Sequence, residues 1–394
     1  MPSDRSTCVH PPTQRAALCA AAVLGCAFFT TVVAGCHSGG EPTKPAKPSP
    51  SRETGAARVS SVVHEDWAKL GYRLDWEGFP FAGIASPRPV ALVAYDDMVV
   101  TQDANSAVTV LETSTGRRRW STDLTGPNTR WLGISRLPGE QGSLLVSADT
   151  EAFVLAPGTG NLLGRDRFEQ VISTPTLLVD NFLIGGTPTG RVQAHLLGKD
   201  LSAWGFISNG AFSVGPVAVG DTIAMVSQAG DVLFFGHGGS LLGRGHIFGA
   251  LDAPPATDGQ RLVIASRDQS LWSFASNGLM LWRYRTSNPL TQSPYFFGDE
   301  VVCDLGAEGL SGFDADAGTV RWSNKDAHGQ VVAVRAGKLV VWDRTTLYLV
   351  DPKTGDVVAK APGTGILKFA TSKAEDGDLF MVAADGTLAK FLPR

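Results

Sequence analysis

From about residue 86 to the C-terminus, short apolar-alternating runs recur in a unit of about 40 residues. The clearest copies span Val108–Trp120, Leu310–Trp322 and Leu347–Val358. Each reads as an apolar strand, a polar turn closed by Gly, and a second strand that often carries a Trp. Looser copies keep the frame: Pro87, Pro175, Pro216, Pro255 and Pro294 open strands, and the last three intervals are 41, 39 and 39 residues. After these starts come a short turn (Gly220-Asp221, Asp258-Gly259, Gly298-Asp299) and an apolar strand such as Thr222–Val226 or Arg261–Ala265. A second turn (Gly230-Asp231, Arg267-Asp268, Gly306-Ala307) leads into the strand that begins the motif. Gly and Asp supply the positive φ of tight hairpin turns, so each unit holds four antiparallel strands.

Four short strands every 40 residues is the cadence of a β-propeller blade. Seven whole blades fit between Ser86 and Pro362, and Ile366–Phe369, Asp378–Ala383 and Thr387–Leu392 leave a three-stranded remnant. Gly71–Trp76 reads as its detached fourth strand, with Trp76 where the motif places it. Pairing the two ends of the chain removes the exposed edges of an open array. The expected fold is all-β: an eight-bladed propeller of four-stranded antiparallel blades over 72–394, closed by the N-terminal strand, with seven blades as the fallback. Upstream, Val59, Val62, Val63, Trp67 and Leu70 lie at helical spacing before Gly71, so a short helix is expected over 58–71.

Composition changes this picture little. Gly is 45 of 394 residues and charged residues are 18%, the balance of a turn-dense β chain. The net charge of −4 and the lack of a basic stripe argue against a nucleic-acid surface. Arg117–Arg119 is the one basic run and reads as a solvated face beside a turn.

The N-terminus sets the compartment. Arg5 and Arg15 precede an apolar run, Ala16–Ala34, that ends Val33-Ala34-Gly35-Cys36. A charged start, an apolar core and small residues before a break describe a secretory signal over 1–35. A Cys directly after small residues resembles a bacterial lipobox, with cleavage between Gly35 and Cys36 and lipid on the Cys36 thiol; an uncleaved membrane-spanning helix is the alternative. Residues 36–57 are rich in Pro, Ser and Gly and read as a disordered tether. Cys8, Cys19 and Cys26 would leave with the signal, so Cys303 remains alone and reads as a buried small hydrophobe rather than a catalytic thiol.

Little else carries chemistry. His37, His64, His195, His237, His246 and His328 show no ligand spacing beyond the loose His237/His246 pair. Asp314-Ala-Asp316 lacks the remaining ligands of a calcium loop and reads as a repeat turn capped by its own carboxylates. No Gly-x-Ser-x-Gly occurs, and the Gly-rich pieces at 156–160 and 361–365 read as turns. The candidate binding loops are Thr125–Trp131 and Gly236–Gly245, with Trp131 and Phe235 as anchors if exposed and as core residues otherwise.

The repeat resembles the pyrroloquinoline-quinone (PQQ)-type propeller repeat, best at Leu111–Trp120, Phe313–Trp322 and Val350–Val358, and more weakly at Leu155–Leu163 and Phe274–Trp282. That resemblance implies that its Trp and Gly residues serve packing between blades. Here these are Gly116, Trp120, Gly160, Trp282, Gly318, Trp322 and Gly355. Of two branches, the quinoprotein dehydrogenases hold quinone and calcium in the funnel, while the lipoproteins similar to BamB, the outer-membrane assembly scaffold, carry no cofactor. With a lipobox and a closing strand, and without the dehydrogenases' adjacent Cys pair and calcium ligands, the chain looks like the second. The resemblance implies a non-catalytic scaffold without a cofactor or metal, lipid-anchored on the periplasmic face of the outer membrane. It would be a monomer within a larger complex, binding envelope proteins such as a β-barrel assembly machinery and no nucleic acid. The alternatives are a PQQ-dependent oxidoreductase and a module that binds envelope polysaccharide.

Overall fold

The structure, a computed structural model, describes residues 64–394 except 82, 83, 85, 86, 106, 125–128, 140 and 141. The signal segment, Cys36, the tether, Val59, Val62, Val63 and the first part of the Thr125–Trp131 loop lie outside the described residues.

Eight four-stranded antiparallel sheets follow one another along the chain. Seven are built from consecutive strands: blade 1 spans 89–123, blade 2 131–167, blade 3 177–207, blade 4 217–246, blade 5 256–285, blade 6 295–324 and blade 7 330–362. The eighth runs from inside to outside as Ile366–Thr371, Leu379–Ala383, Leu388–Pro393 and then Tyr72–Gly78. The closing strand pairs with the last one from Tyr72↔Pro393 to Gly78↔Leu388, with one bulge between Leu74 and Trp76. The eight-blade reading holds and the seven-blade fallback does not.

Alternation survives best in outer strands such as Leu201–Ile207, where half-buried and exposed positions take turns. In the second and third strands it is lost: Met98–Asp103, Leu144–Ala148, Asp231–Phe235 and Leu379–Ala383 are buried at every position. A blade packs a neighbour on both faces, so its middle strands must be apolar on both, as in any sheet covered on two sides. The core is accordingly a set of eight hydrophobic clusters, one at each seam between consecutive blades.

Ahead of the closing strand, Glu65–Leu70 form a 3-10 helix that ends at Gly71, whose φ of 82° gives the left-handed cap a Gly adopts without strain. Trp67 and Leu70 are buried beneath it. Among the described residues no helix is long and apolar enough to cross a membrane.

Candidate functional site

The inner strands decide what the central channel presents. In blades 7, 8, 1 and 2, contiguous round the ring, the inner strand has six residues (Gln330–Arg335, Ile366–Thr371, Pro89–Ala94, Trp131–Arg136). In blades 3 to 6 it has only two or three (Leu177–Val179, Val217–Val219, Ala256–Thr257, Tyr295–Phe297). Each long strand slips register near its start, leaving Leu367, Val90 and Leu132, at the second position, and Val332, at the third, as the extra residue of a bulge. A bulge bends the strand and re-aims a side chain. Four apolar residues near the starts of these strands thus sit at bulges, of which Val90, Val332 and Leu367 line one cavity as a crescent at the channel mouth, and Val90 and Leu367 remain 38% and 43% exposed.

The cavity behind this crescent measures about 610 Å³ and is also lined by Trp342, Arg344 and Lys368. Trp342 is held in place: its Nε1 donates to the Gly363 carbonyl at 3.0 Å, and its ring meets Phe369 edge-on at 5.1 Å. Lys368 has no ion pair or hydrogen bond among the described residues, and burial pulls its ammonium below the usual lysine range. Arg344, likewise without a partner, sits at φ 81° in the turn between the second and third strands of blade 7. The mouth therefore offers an apolar face edged by two free cations.

Neither anchor proposed from the sequence serves this surface. Trp131 is buried against Phe153, and Phe235 is fully buried beside Trp204 and Phe206. The Gly236–Gly245 segment is no open loop: a tight turn, with Gly236 N–H bonded to the Ser240 carbonyl, leads straight into the outer strand Leu241–His246. The crescent itself was not legible, because a bulge leaves no mark in a run of Val, Leu and Ile.

The repeat residues come together in pairs across seams. The outer-strand tryptophans Trp76, Trp120, Trp204, Trp282 and Trp322 lie on Gly116, Gly160, Gly239, Gly318 and Gly355 of the next blade's turn, where a methyl group would overlap the indole. All five glycines have positive φ, from 67° to 87°. Four of the indoles donate to a turn carbonyl of that neighbour: Trp76 to Thr113 at 3.0 Å, Trp120 to Pro157 at 2.9 Å, Trp204 to His237 at 3.0 Å and Trp282 to Ala315 at 2.9 Å. The predicted residues thus form Trp120–Gly160, Trp282–Gly318 and Trp322–Gly355, while Gly116 is covered by Trp76 of the closing strand. Trp204–Gly239 escaped the motif because the turns on either side of Trp204 lack its Thr/Ala-Gly signature.

Trp322 differs: its Nε1 faces the Glu300 carboxylate, and neither group has a well-formed hydrogen bond. Burial pushes the Glu300 carboxyl up to about 7. In the unfolded chain the group ionises near the ordinary Glu value, so between that value and about 7 only the folded state keeps the proton. Stability attributable to Glu300 therefore falls as pH rises through this window and levels off above it. Glu300→Gln is expected to abolish the slope and raise stability at pH 8 by at most about 3 kcal/mol. Melting temperatures of both proteins at pH 5 and pH 8 test this; parallel curves would refute it.

The other chemical candidates are placed apart. Cys303 is buried, its thiol pushed up by that burial. It should resist a maleimide until the protein unfolds, as mass spectrometry of native and denatured samples will read. His237 pairs with Asp180 at 2.9 Å, whereas His246 lies beside Asp231 at 3.8 Å. Asp314 caps the amides of Asp316 and Ala317 at 3.0 and 2.8 Å. Among the described residues no three His, Cys, Asp or Glu side chains gather as a metal would need.

Comparison with known proteins fits this geometry. A family profile described as outer membrane protein assembly factor BamB matches residues 189–377. No curated protein matches the chain. Among solved structures, BamB from Moraxella catarrhalis is similar at a TM-score of 0.64 and 15% identity, covering 82% of this chain and 97% of that one. The computationally designed Ika8 protein is similar to the same degree, with a TM-score of 0.63 and 16% identity over 81% of this chain and 100% of that one. A designed ring matching as well as a natural one means that likeness of this degree reports the fold alone.

Proposed function

We propose that this chain, a PQQ-type β-propeller repeat protein whose residues 189–377 match the BamB profile and whose ring is similar to that of BamB, is a non-catalytic scaffold tethered in the cell envelope. In this reading Cys36 carries lipid after cleavage at Gly35, residues 36–57 act as the tether, and the propeller stands on the periplasmic face of the outer membrane. Its partners are envelope proteins, the β-barrel assembly machinery first among them. The observation that carries the reading is the channel mouth, where bulged inner strands present Val90, Val332 and Leu367 beside Lys368 and Arg344. A partly exposed apolar patch rimmed by charge is how a monomer marks an interaction surface.

Two measurements test it. Cys36→Ser is expected to move the protein from the membrane to the soluble fraction, and an unchanged membrane fraction would remove the lipid anchor from the reading. Affinity capture from solubilised envelope is expected to recover assembly-machinery components with the wild-type chain, and to lose them with Leu367→Glu, a change at an exposed position that the fold tolerates. Recovery of a polysaccharide or a periplasmic enzyme instead would redirect the function.

A further inference from the structure

The cavity at the channel mouth carries charge of one sign. Lys368 and Arg344 line it and no Asp or Glu does, in a chain whose net charge is −4. Neither cation has a counter-ion among the described residues. The carboxylates alongside are already engaged. Asp304 and Asp343 line a smaller neighbouring cavity that shares Trp342 and Arg344 with the first. Asp343 accepts at Oδ1 from the Thr345 and Thr346 amides, at 2.8 and 2.6 Å, and at Oδ2 from the Tyr348 hydroxyl at 2.7 Å. Asp304 accepts from the Gly306 and Gly329 amides at 2.9 and 2.6 Å and lies 3.5 Å from His328. An ammonium partly withdrawn from water without a counter-charge is unfavourable, and a carboxylate brought beside it restores the charged form. The ring offers Lys368 no such group, so the complement has to come from a ligand.

The walls decide what form that ligand takes. Ile366–Thr371 and Pro89–Ala94 each stand at the end of their sheet's strand order, so no strand pairs with their channel-facing edges. Such an edge presents a row of backbone N–H and C=O groups, which an extended peptide matches and a lipid tail does not. At their bulges Val90, Val332 and Leu367 add apolar contact beside Trp342. A volume of about 610 Å³ holds a stretch of a few residues, not a folded domain.

We propose that the channel mouth binds a short extended segment of a partner protein, in which a carboxylate side chain held by Lys368 and Arg344 is flanked by apolar residues. This rests on reading the mouth as an interaction surface and adds the chemistry of what it takes. The apolar side chains meet the crescent, the backbone meets the open strand edges, and the carboxylate supplies the charge that the cavity lacks.

The test titrates the full chain in detergent with three capped peptides, Ser-Gly-Val-Glu-Val-Gly-Ser and its Gln and Lys counterparts, followed by NMR. Saturable binding of the Glu peptide is expected, at least about tenfold tighter than the Gln peptide, with the Lys peptide weakest. Lys368→Met keeps the apolar stem, and Gly at 344 adopts the φ of 81° without strain, so both variants should fold. Lys368→Met and Arg344→Gly should each shrink the preference for Glu over Gln. Equal affinity for the Glu and Gln peptides, no saturation, or a preference that survives both substitutions overturns the proposal. Saturable binding of dihexanoyl phosphatidylglycerol without binding of the Glu peptide would overturn the protein origin of the ligand. Envelope capture separates this from the reading beneath it. Partners lost with Leu367→Glu but kept with both Lys368→Met and Arg344→Gly would leave the mouth an interaction surface and overturn carboxylate recognition. No partner captured by the wild-type chain would overturn the scaffold reading, while the peptide preference still decides the chemistry of the mouth.

Discussion

Removing residues 1–78 is expected to destroy the ring rather than trim it. The truncated chain should elute as aggregates or unfold without a cooperative transition, while a chain beginning at residue 64 should melt as one unit. The closing strand supplies the outer quarter of blade 8 and pairs along all of Leu388–Pro393, a strand whose Leu388, Ala389 and Phe391 are buried. It also carries the blade 8 to blade 1 seam, because Trp76 lies on Gly116 and donates to Thr113. The segment ahead of it brings Trp67 and Leu70 into the blade 7 to blade 8 cluster, where Tyr72 joins them. At about 2 kcal/mol for each large apolar side chain buried, these four residues alone account for on the order of 8 kcal/mol, a large share of a typical domain's net stability. Arg335 ties the ends polar-wise: it donates to the Gly71 carbonyl at 3.0 Å and pairs with Asp376, while the Arg394 N–H meets Gly71 at 2.8 Å. Deletion would leave Leu388–Pro393 as an unpaired edge, a template for association between chains. Adding a peptide of residues 64–80 in trans should restore a monomeric, cooperative fold; a truncated chain that melts like the parent would refute the closure argument.

What could be read from the sequence follows from which features need particular residues. Hairpin turns need positive φ, so Gly and Asp mark them, and the blade cadence and the closing strand at Trp76 were legible. Seam packing was legible where both partners kept their identity, as in Trp282 and Gly318. It was not where the role passed to another part of the chain. Trp67 reads as one apolar position in a short helix, and only the fold brings it to Pro362, 295 positions away. The channel crescent depends on register slips at Val90, Val332 and Leu367, which the same residues in an unbulged strand would not show. Nothing near Glu300 in the sequence reveals that Trp322 will cover it.

Gly160→Ala and Gly318→Ala are each expected to cost about 3 kcal/mol or more, and Gly198→Ala about 1 kcal/mol. All three glycines have φ between 67° and 78°, so the backbone penalty for adding a Cβ is common to them. They differ in what that Cβ meets. At Gly160 it overlaps the ring of Trp120 and at Gly318 the ring of Trp282, whereas at Gly198 it enters empty space. The indoles cannot retreat without giving up their hydrogen bonds to Pro157 and Ala315, and leaving a buried donor unpaired is itself destabilising. Denaturant unfolding of the three variants measures the costs. The difference between Gly318→Ala and Gly198→Ala isolates the steric term from the conformational one. A double-mutant cycle sharpens it: in a Trp282→Leu background the penalty of Gly318→Ala should fall toward that of Gly198→Ala, because the two residues act as one contact. Equal costs at all three glycines would mean that the seams are held by strand burial alone and that the turn glycines serve only their own backbone.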